Sequence, residues 1–206
     1  MDYSPGFVQF RDIYVKNPLL DPLGNVTPSP TDVAFVVPAN GQWHGITQGD
    51  AVSAAQSFAS GVGLTRDDRV SMNLALSSLS GKVAGVLGLM ANLSVIIIPG
   101  QDFSSAQTIA TLDQEVITTL LVTPDQLRAI LEDPTLPSKK FERLEKLIVV
   151  AEDGHAPSAD VLTKAKGAWG LKDIRVAVGS PSAVPFLVSG SGDPTKLKPV
   201  SNTQVG

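Results

Sequence analysis

The sequence predicts an α/β fold, a mostly parallel sheet flanked by helices, preceded by an extended N-terminal arm. Three observations lead there. From Val33 onward, short β-rich runs alternate with helix-length segments. Several runs, such as "VIIIPG" and "KLIVVA", are continuously apolar, the pattern of strands covered on both faces. Residues 1–32, "MDYSPGFVQFRDIYVKNPLLDPLGNVTPSPTD", are instead dense in proline and turn residues without a sustained period. The chain therefore divides into a proline-rich arm, 1–32, and an α/β domain, 33–206.

In order, "VAFVV" is a strand that enters the glycine-spaced loop "PANGQWHGITQG" and then a helix over 50–60. "RVSMNLAL" is a second strand, followed by a helix over 80–91 and the strand "LSVIIIPG". A helix over 104–111 precedes the strand "VITTLLVT" and the helix "PDQLRAILED", whose Pro124 suits a first helical position. "KLIVVAED", the helix "SADVLTKAKGAW" and the strand "DIRVAVGS" complete the alternation, ahead of the glycine-rich "VSGSGDPTKLKPVSNTQVG".

Bulk properties exclude several classes of function. At 206 residues, 43% hydrophobic and 17% charged, the chain has the composition of a globular domain and not of a disordered one. A net charge of -4 carries no basic footprint, so nucleic acid is not an expected partner. Without cysteine there is no disulfide framework or thiolate chemistry, and two histidines leave little for a metal site. The N-terminus shows neither a secretory h-region nor an Arg-rich amphipathic presequence. The long apolar stretch "LSGKVAGVLGLMANLSVIIIPG" contains Lys82, Asn92 and Ser94 and reads as a buried helix and strand, not a membrane span. The expectation is an intracellular, cytoplasmic or mitochondrial protein with no cofactor and no metal.

Ligands of such sheets sit where strands end. His44, beside Trp43, reads either as a base or phosphate ligand or as half of a packing pair. His155, flanked by Glu152 and Asp153, reads either as a general base or as part of a surface turn in which Ser158 caps the helix from Ala159. "SGSGDP" over 189–194 has glycine content but no following helix or lysine, and reads as a connector. Gly81, Ala84, Gly85 and Gly88 form a small-residue stripe for close packing on the sheet. "SKKFERLEK" over 138–146 reads as a solvated helix face.

From about Val33 to Gly206 the order of landmarks resembles the middle of the N-terminal domain of adenylate-forming enzymes, the acyl-CoA synthetase, adenylation-domain and luciferase superfamily. "GLTRDDRVSMNLALSSLSG" is similar to the approach to the family's His-x-x-Gly, and "GLMANLSVIIIPGQDF" to the helix and strand after it. "EVITTLLVTPDQLRAIL" resembles its strand and proline-started helix. "FERLEKLIVVAEDGHAP" resembles the approach to Gly-Gly-Ala-Pro, and "VAVGSPSA" the site of Tyr-Gly-x-Thr-Glu.

The resemblance also implies which residues have changed. Aligned on Gly41 and Gly45, the family's phosphate loop, Thr-Ser-Gly-Thr-Thr-Gly-x-Pro-Lys-Gly, falls on Val36, Val37, Pro38, Ala39, Asn40, Gln42, Trp43 and His44. The hydroxyls and lysine are replaced. The motif histidine falls at Ser78. Gly154, Ala156 and Pro157 match the Gly-Gly-Ala-Pro turn, with His155 at its second glycine. Gly179 and Ser180 remain of the acid-bearing motif, whose tyrosine, threonine and glutamate positions are Val178, Pro181 and Ser182. "KPVSNTQVG" is similar to the following Pro-Gly-Ser-x-Gly stretch, short of the family's ribose-binding aspartate and its C-terminal domain with the catalytic lysine.

The expectation is thus a degenerate, truncated member with no catalytic residues: a structural or accessory subunit among the protein subunits of a larger assembly. An acyl, CoA or nucleotide binding module without chemistry, and a ligase completed by another chain, are the alternatives. Vestigial ligand contacts would fall at Gly41, His44, Gly45, Gly154, His155, Ala156, Pro157, Gly179 and Ser180.

Overall fold

The computed structural model describes residues 27–39, 41–136, 141–152, 154–180, 183–189 and 197–199. The predicted arm lies outside them except for its last residues, as do most of "SGSGDP", Asp153, Pro181, Ser182 and the Lys139–Lys140 pair. Thr27–Asp32 is a coil and turn that returns to the domain, where Pro30 O accepts from Gly49 N at 2.9 Å.

The chain first makes β1 (Val33–Ala39) and β2 (Gln42–Thr47), an antiparallel pair forming a two-stranded sheet. This corrects the predicted loop. Its residues from Gln42 onward are a strand, which Gly41 leads into with a φ of 73°, the left-handed value glycine tolerates.

Helix α1 (Gln48–Gly61) follows, capped by Thr47, whose Oγ1 accepts from Asp50 N at 3.1 Å. Then come β3 (Arg69–Met72), helix α2 and β4 (Val95–Ile97). Helix α2 is π-wound over Gly81–Leu87 and α-wound over Gly88–Ala91. The remainder is α3 (Ser105–Gln114), β5 (Thr119–Val122), α4 (Pro124–Glu132), β6 (Lys146–Ala151), α5 (Ala159–Trp169), β7 (Asp173–Ser180), β8 (Ala183–Ser189) and β9 (Leu197–Pro199).

A seven-stranded sheet runs in the order β4-β3-β5-β6-β7-β8-β9. Its first five strands are parallel, as predicted; β8 and β9 add on antiparallel. These last two strands were not foreseen from the sequence.

The alternation of side chains along each strand explains the continuous apolar runs. In β6, Leu147 and Val149 enter the core under α3, α4 and α5, while Ile148 and Val150 enter the core shared with α1 and α2. Leu120 and Val122 of β5 point with the first pair and Leu121 with the second. A strand buried on both sides has no polar alternate positions, which makes it legible as a strand of a covered sheet.

The small-residue stripe packs as read, against both a strand and a helix. A Cβ on Gly85 would meet Met72 Sδ of β3 at 3.3 Å, and one on Gly88 would meet Phe58 of α1 at 3.0 Å. Gly170, with φ 68°, ends α5 in the left-handed conformation. Ser158 occupies the N-cap of α5 but makes no side-chain capping hydrogen bond, a correction to its predicted role.

Helix α4 has the complete capping arrangement. Thr123 Oγ1 accepts from Gln126 N, and Gln126 Oε1 accepts from Thr123 N at 2.9 Å. Thr123→Ala is expected to destabilise the fold by about 1 kcal/mol, measured as a shift in urea midpoint at constant slope.

Candidate functional site

Because β3 to β7 are parallel, their C-terminal ends lie on one edge, and the loops leaving them form the candidate site. At the exit of β3, Asn73 is tied down on every side. Its N donates to Leu121 O at 3.0 Å, its Oδ1 accepts from Thr108 Oγ1 at 2.7 Å, and its carbonyl accepts from Gln126 Nε2 at 2.8 Å. Gln126 thus bridges two strand exits while also closing the α4 capping box.

Ser78, at the position resembling the motif histidine, makes a second bridge. Its Oγ accepts from Gly81 N at 2.9 Å and lies 2.7 Å from Glu152 Oε1 and 2.9 Å from Ala75 O. A hydroxyl has one proton, so these two acceptors share it. Ser78 follows β3 and Glu152 follows β6, with β5 between them in the sheet, so this contact crosses the edge above β5. Sequence reasoning paired Glu152 with His155 and did not find its bond to Ser78.

The described cleft at this edge has a volume of about 220 Å³ and is lined by the β3 exit around Asn73 and Leu76, the β4 exit from Ile98 to Phe103, and Gln126. It is smaller than the roughly 300–1,000 Å³ usual for ligand pockets.

The structure brings some of the sequence-derived site residues together and separates others. Gly154, His155 and Ala156 are exposed in the loop after β6, while Pro157 is buried. Gly154 adopts φ 81°, with open space where a Cβ would lie. Because Ala151 pairs with Val178, this loop leaves the sheet beside Gly179 and Ser180 at the end of β7. Gly41, His44 and Gly45 belong to the separate hairpin: Gly41 at its turn, half-buried His44 opposite Val37, and exposed Gly45 opposite Val36.

The buried ion pair lies at the opposite edge, where strands begin. Lys146 Nζ is 3.1 Å from Asp68 Oδ2 and donates to Gly63 O at 2.6 Å. Asp68 also accepts from Thr119 Oγ1 at 2.6 Å and Thr65 N at 2.7 Å. Burial alone would raise the Asp68 carboxyl, but the Thr119 hydroxyl, the Thr65 amide and Lys146 outweigh it and hold it below the ordinary aspartate value. Its position joining β3, β5 and β6 at their starts makes it structural. Among the described residues no group of three or more His, Asp or Glu side chains is placed to hold a metal, and no helix is long and apolar enough to cross a membrane.

No family model and no curated protein matches the sequence. Solved structures do match. A benzoate CoA ligase from Burkholderia xenovorans LB400 superposes with a TM-score of 0.70 at 18% identity, over 80% of this chain and 33% of that one. MbtA from Mycobacterium smegmatis gives 0.67 at 21% identity, over 88% and 33%. The N-terminal domain of FACL13 from Mycobacterium tuberculosis gives 0.63 at 16% identity, over 77% and 38%. The chain spans about a third of the length of these structures. What is shared is the fold: part of the N-terminal domain of adenylate-forming acyl-CoA synthetases.

Proposed function

We propose that this chain, built on the fold of an adenylate-forming synthetase, is a non-catalytic domain acting as a structural or accessory subunit of a protein assembly. The observation that carries the reading is the β1–β2 ladder. It pairs Val36 with Gly45, Val37 with His44, Pro38 with Trp43 and Ala39 with Gln42, over the positions that resemble the family's phosphate loop. A hairpin closed this tightly leaves no loop long enough to wrap a triphosphate. Its strands bring no lysine or arginine, and Pro38 has no amide to donate.

The energetic consequence is large. Each preorganised donor or cation at a reacting phosphate is commonly worth about 2.7–4 kcal/mol, so three missing together slow the step by about a millionfold at the least. Ser78 at the motif-histidine position supports the same reading, since its hydroxyl is shared between Ala75 O and Glu152. Calorimetric titration with ATP-Mg is expected to give no saturable heat; a micromolar dissociation constant overturns the proposal.

A second reading, a binding module for an acyl, CoA or nucleotide ligand without chemistry, draws on the partly apolar cleft between the β3 and β4 exits. Saturable binding of acyl-CoA or a fatty acid without ATP binding would select it. A ligase completed by another chain predicts that ATP binding appears on adding that chain.

A further inference from the structure

Cross-strand partners in an antiparallel pair share a face, and the hairpin has two unlike ones. Phe35, Val37, His44 and Ile46 form the inner face, with Val37 and Ile46 buried in the core beside α1. Val33, Val36, Pro38, Trp43, Gly45 and Thr47 form the outer face. On it Trp43 is 74% exposed, and Val33 and Val36 are each 58% exposed. Gly45 presents no side chain, and the Val33 methyls lie over it, 3.5 and 3.6 Å from where its Cβ would be.

The electrostatics of this surface are one-sided. No residue from 17 to 65 is lysine or arginine. The outer face has no charge, and exposed Asp32 and Asp50 stand at its base. Both carboxylates are held in place: Asp32 Oδ2 accepts from Ser29 N at 2.8 Å, and Asp50 Oδ2 from Thr47 Oγ1 at 2.7 Å. Neither is in an ion pair among the described residues. An anionic bilayer, a nucleic-acid backbone or a nucleotide phosphate would be repelled here.

We propose that the outer face of the hairpin is a docking surface for a partner protein that receives the Trp43 indole in an apolar slot and sets lysine or arginine side chains against Asp32 and Asp50. An exposed tryptophan flanked by aliphatic side chains is the composition of an interface anchor, and the acidic base complements a basic rim. The proposal rests on the reading of the chain as an accessory subunit, and it specifies which surface makes that contact and with what chemistry.

The test uses the full chain with p-benzoylphenylalanine at Val36, photolysed in native extract, with the same label at exposed Lys166 on α5 as control. One adduct specific to position 36 is expected. Unlabelled wild-type chain competes for it, and the Trp43→Ala chain competes at least ~30-fold less well. Added salt weakens the complex. Since Trp169 is 2% exposed, acrylamide quenching of the free chain reports Trp43, and the identified partner is expected to protect it.

An adduct with the mass of two copies overturns the proposal, as do equal competition by Trp43→Ala, no adduct above the control, and co-sedimentation with phosphatidylserine vesicles. Val36→Ser, another exposed change, repeats the competition and guards against misfolding of one variant. Titration of the same preparation with ATP-Mg separates the two ideas. Heat from ATP with the adduct intact removes the non-catalytic reading alone, and no heat with no adduct removes the docking surface alone.

Discussion

Asp68→Ala is expected to cost roughly 3–5 kcal/mol of folding stability and to lower the melting temperature by roughly 6–20 °C. The deleted carboxylate holds together the starts of three adjacent strands. Without it, Lys146 keeps Gly63 O as its acceptor among the described residues, Thr119 loses its 2.6 Å acceptor, and the Thr65 amide loses its 2.7 Å one. Breaking such a pair on one side costs more than the pair itself contributes, because the Lys146 charge and the fully buried Thr119 hydroxyl lose their partner. Lys146→Met is therefore expected to cost less than Asp68→Ala, since the carboxylate keeps its neutral donors, the Thr65 amide and hydroxyl and the Thr119 hydroxyl among them. The double variant is expected to be less destabilised than the sum of the two, and a thermodynamic cycle on urea midpoints measures that coupling.

The same group gives a pH signature. A carboxyl whose folded pKa lies below its unfolded value stabilises the fold above that unfolded value, about pH 4. The contribution disappears as pH falls through the folded pKa, because the proton is then bound in both states. The stability difference between wild type and Asp68→Asn is thus expected to be flat from neutral pH down to about pH 5 and to narrow below about pH 4. A constant difference at all pH values would mean that Asp68 contributes packing and not charge.

Which elements the sequence revealed follows from how each is buried. Strands β5 and β6 are buried on both faces between two helical layers, so a run such as Leu147–Val150 cannot be mistaken for a surface segment. Strand β2 escaped because its outer face, with Trp43 74% exposed, is not buried in the core. "QWHGIT" alternates exposed tryptophan and glycine with inward His44 and Ile46, and Gly41 and Gly45, four residues apart, read as a glycine-spaced loop. Strands β8 and β9 attach by local antiparallel pairing without crossover helices, so the alternation that betrayed the others stops before them.

At the site, positions that depend on backbone conformation were readable and long-range contacts were not. Gly154 marks its turn through a φ of 81°. The Ser78–Glu152 bond joins residues 74 apart through an intervening strand, and no local pattern encodes that. Asn73, a polar residue beside Ser71 in the mostly apolar "VSMNLAL", lines the cleft with its polar groups engaged.

Gly81→Ala is expected to destabilise the fold by about 3 kcal/mol or more, at or above the upper range for overpacking. A Cβ there would lie 1.9 Å from Ala75 O and 2.7 Å from Ala75 C. Both are backbone atoms, so no side-chain rotation relieves the clash. Ala75 O accepts from Ser78 N at 3.0 Å and lies 2.9 Å from Ser78 Oγ, which in turn accepts from Gly81 N at 2.9 Å. Any shift that clears the methyl therefore moves the whole 75–81 turn and pulls Ser78 from Glu152. Gly81 also opens the π-wound segment, and a longer winding of this kind survives where packing over-determines it. Gly167→Ala on exposed α5, with nothing within 4 Å of the added carbon, makes the same chemical change and is expected to stabilise by about 0.5–1 kcal/mol. Opposite signs for these two variants, with faster amide exchange at residues 75–81 in Gly81→Ala only, would place the constraint in the Ala75 contact. Equal and small effects would mean that the turn and the π-wound segment relax freely, and that the Ser78–Glu152 bridge is held by its own hydrogen bond alone.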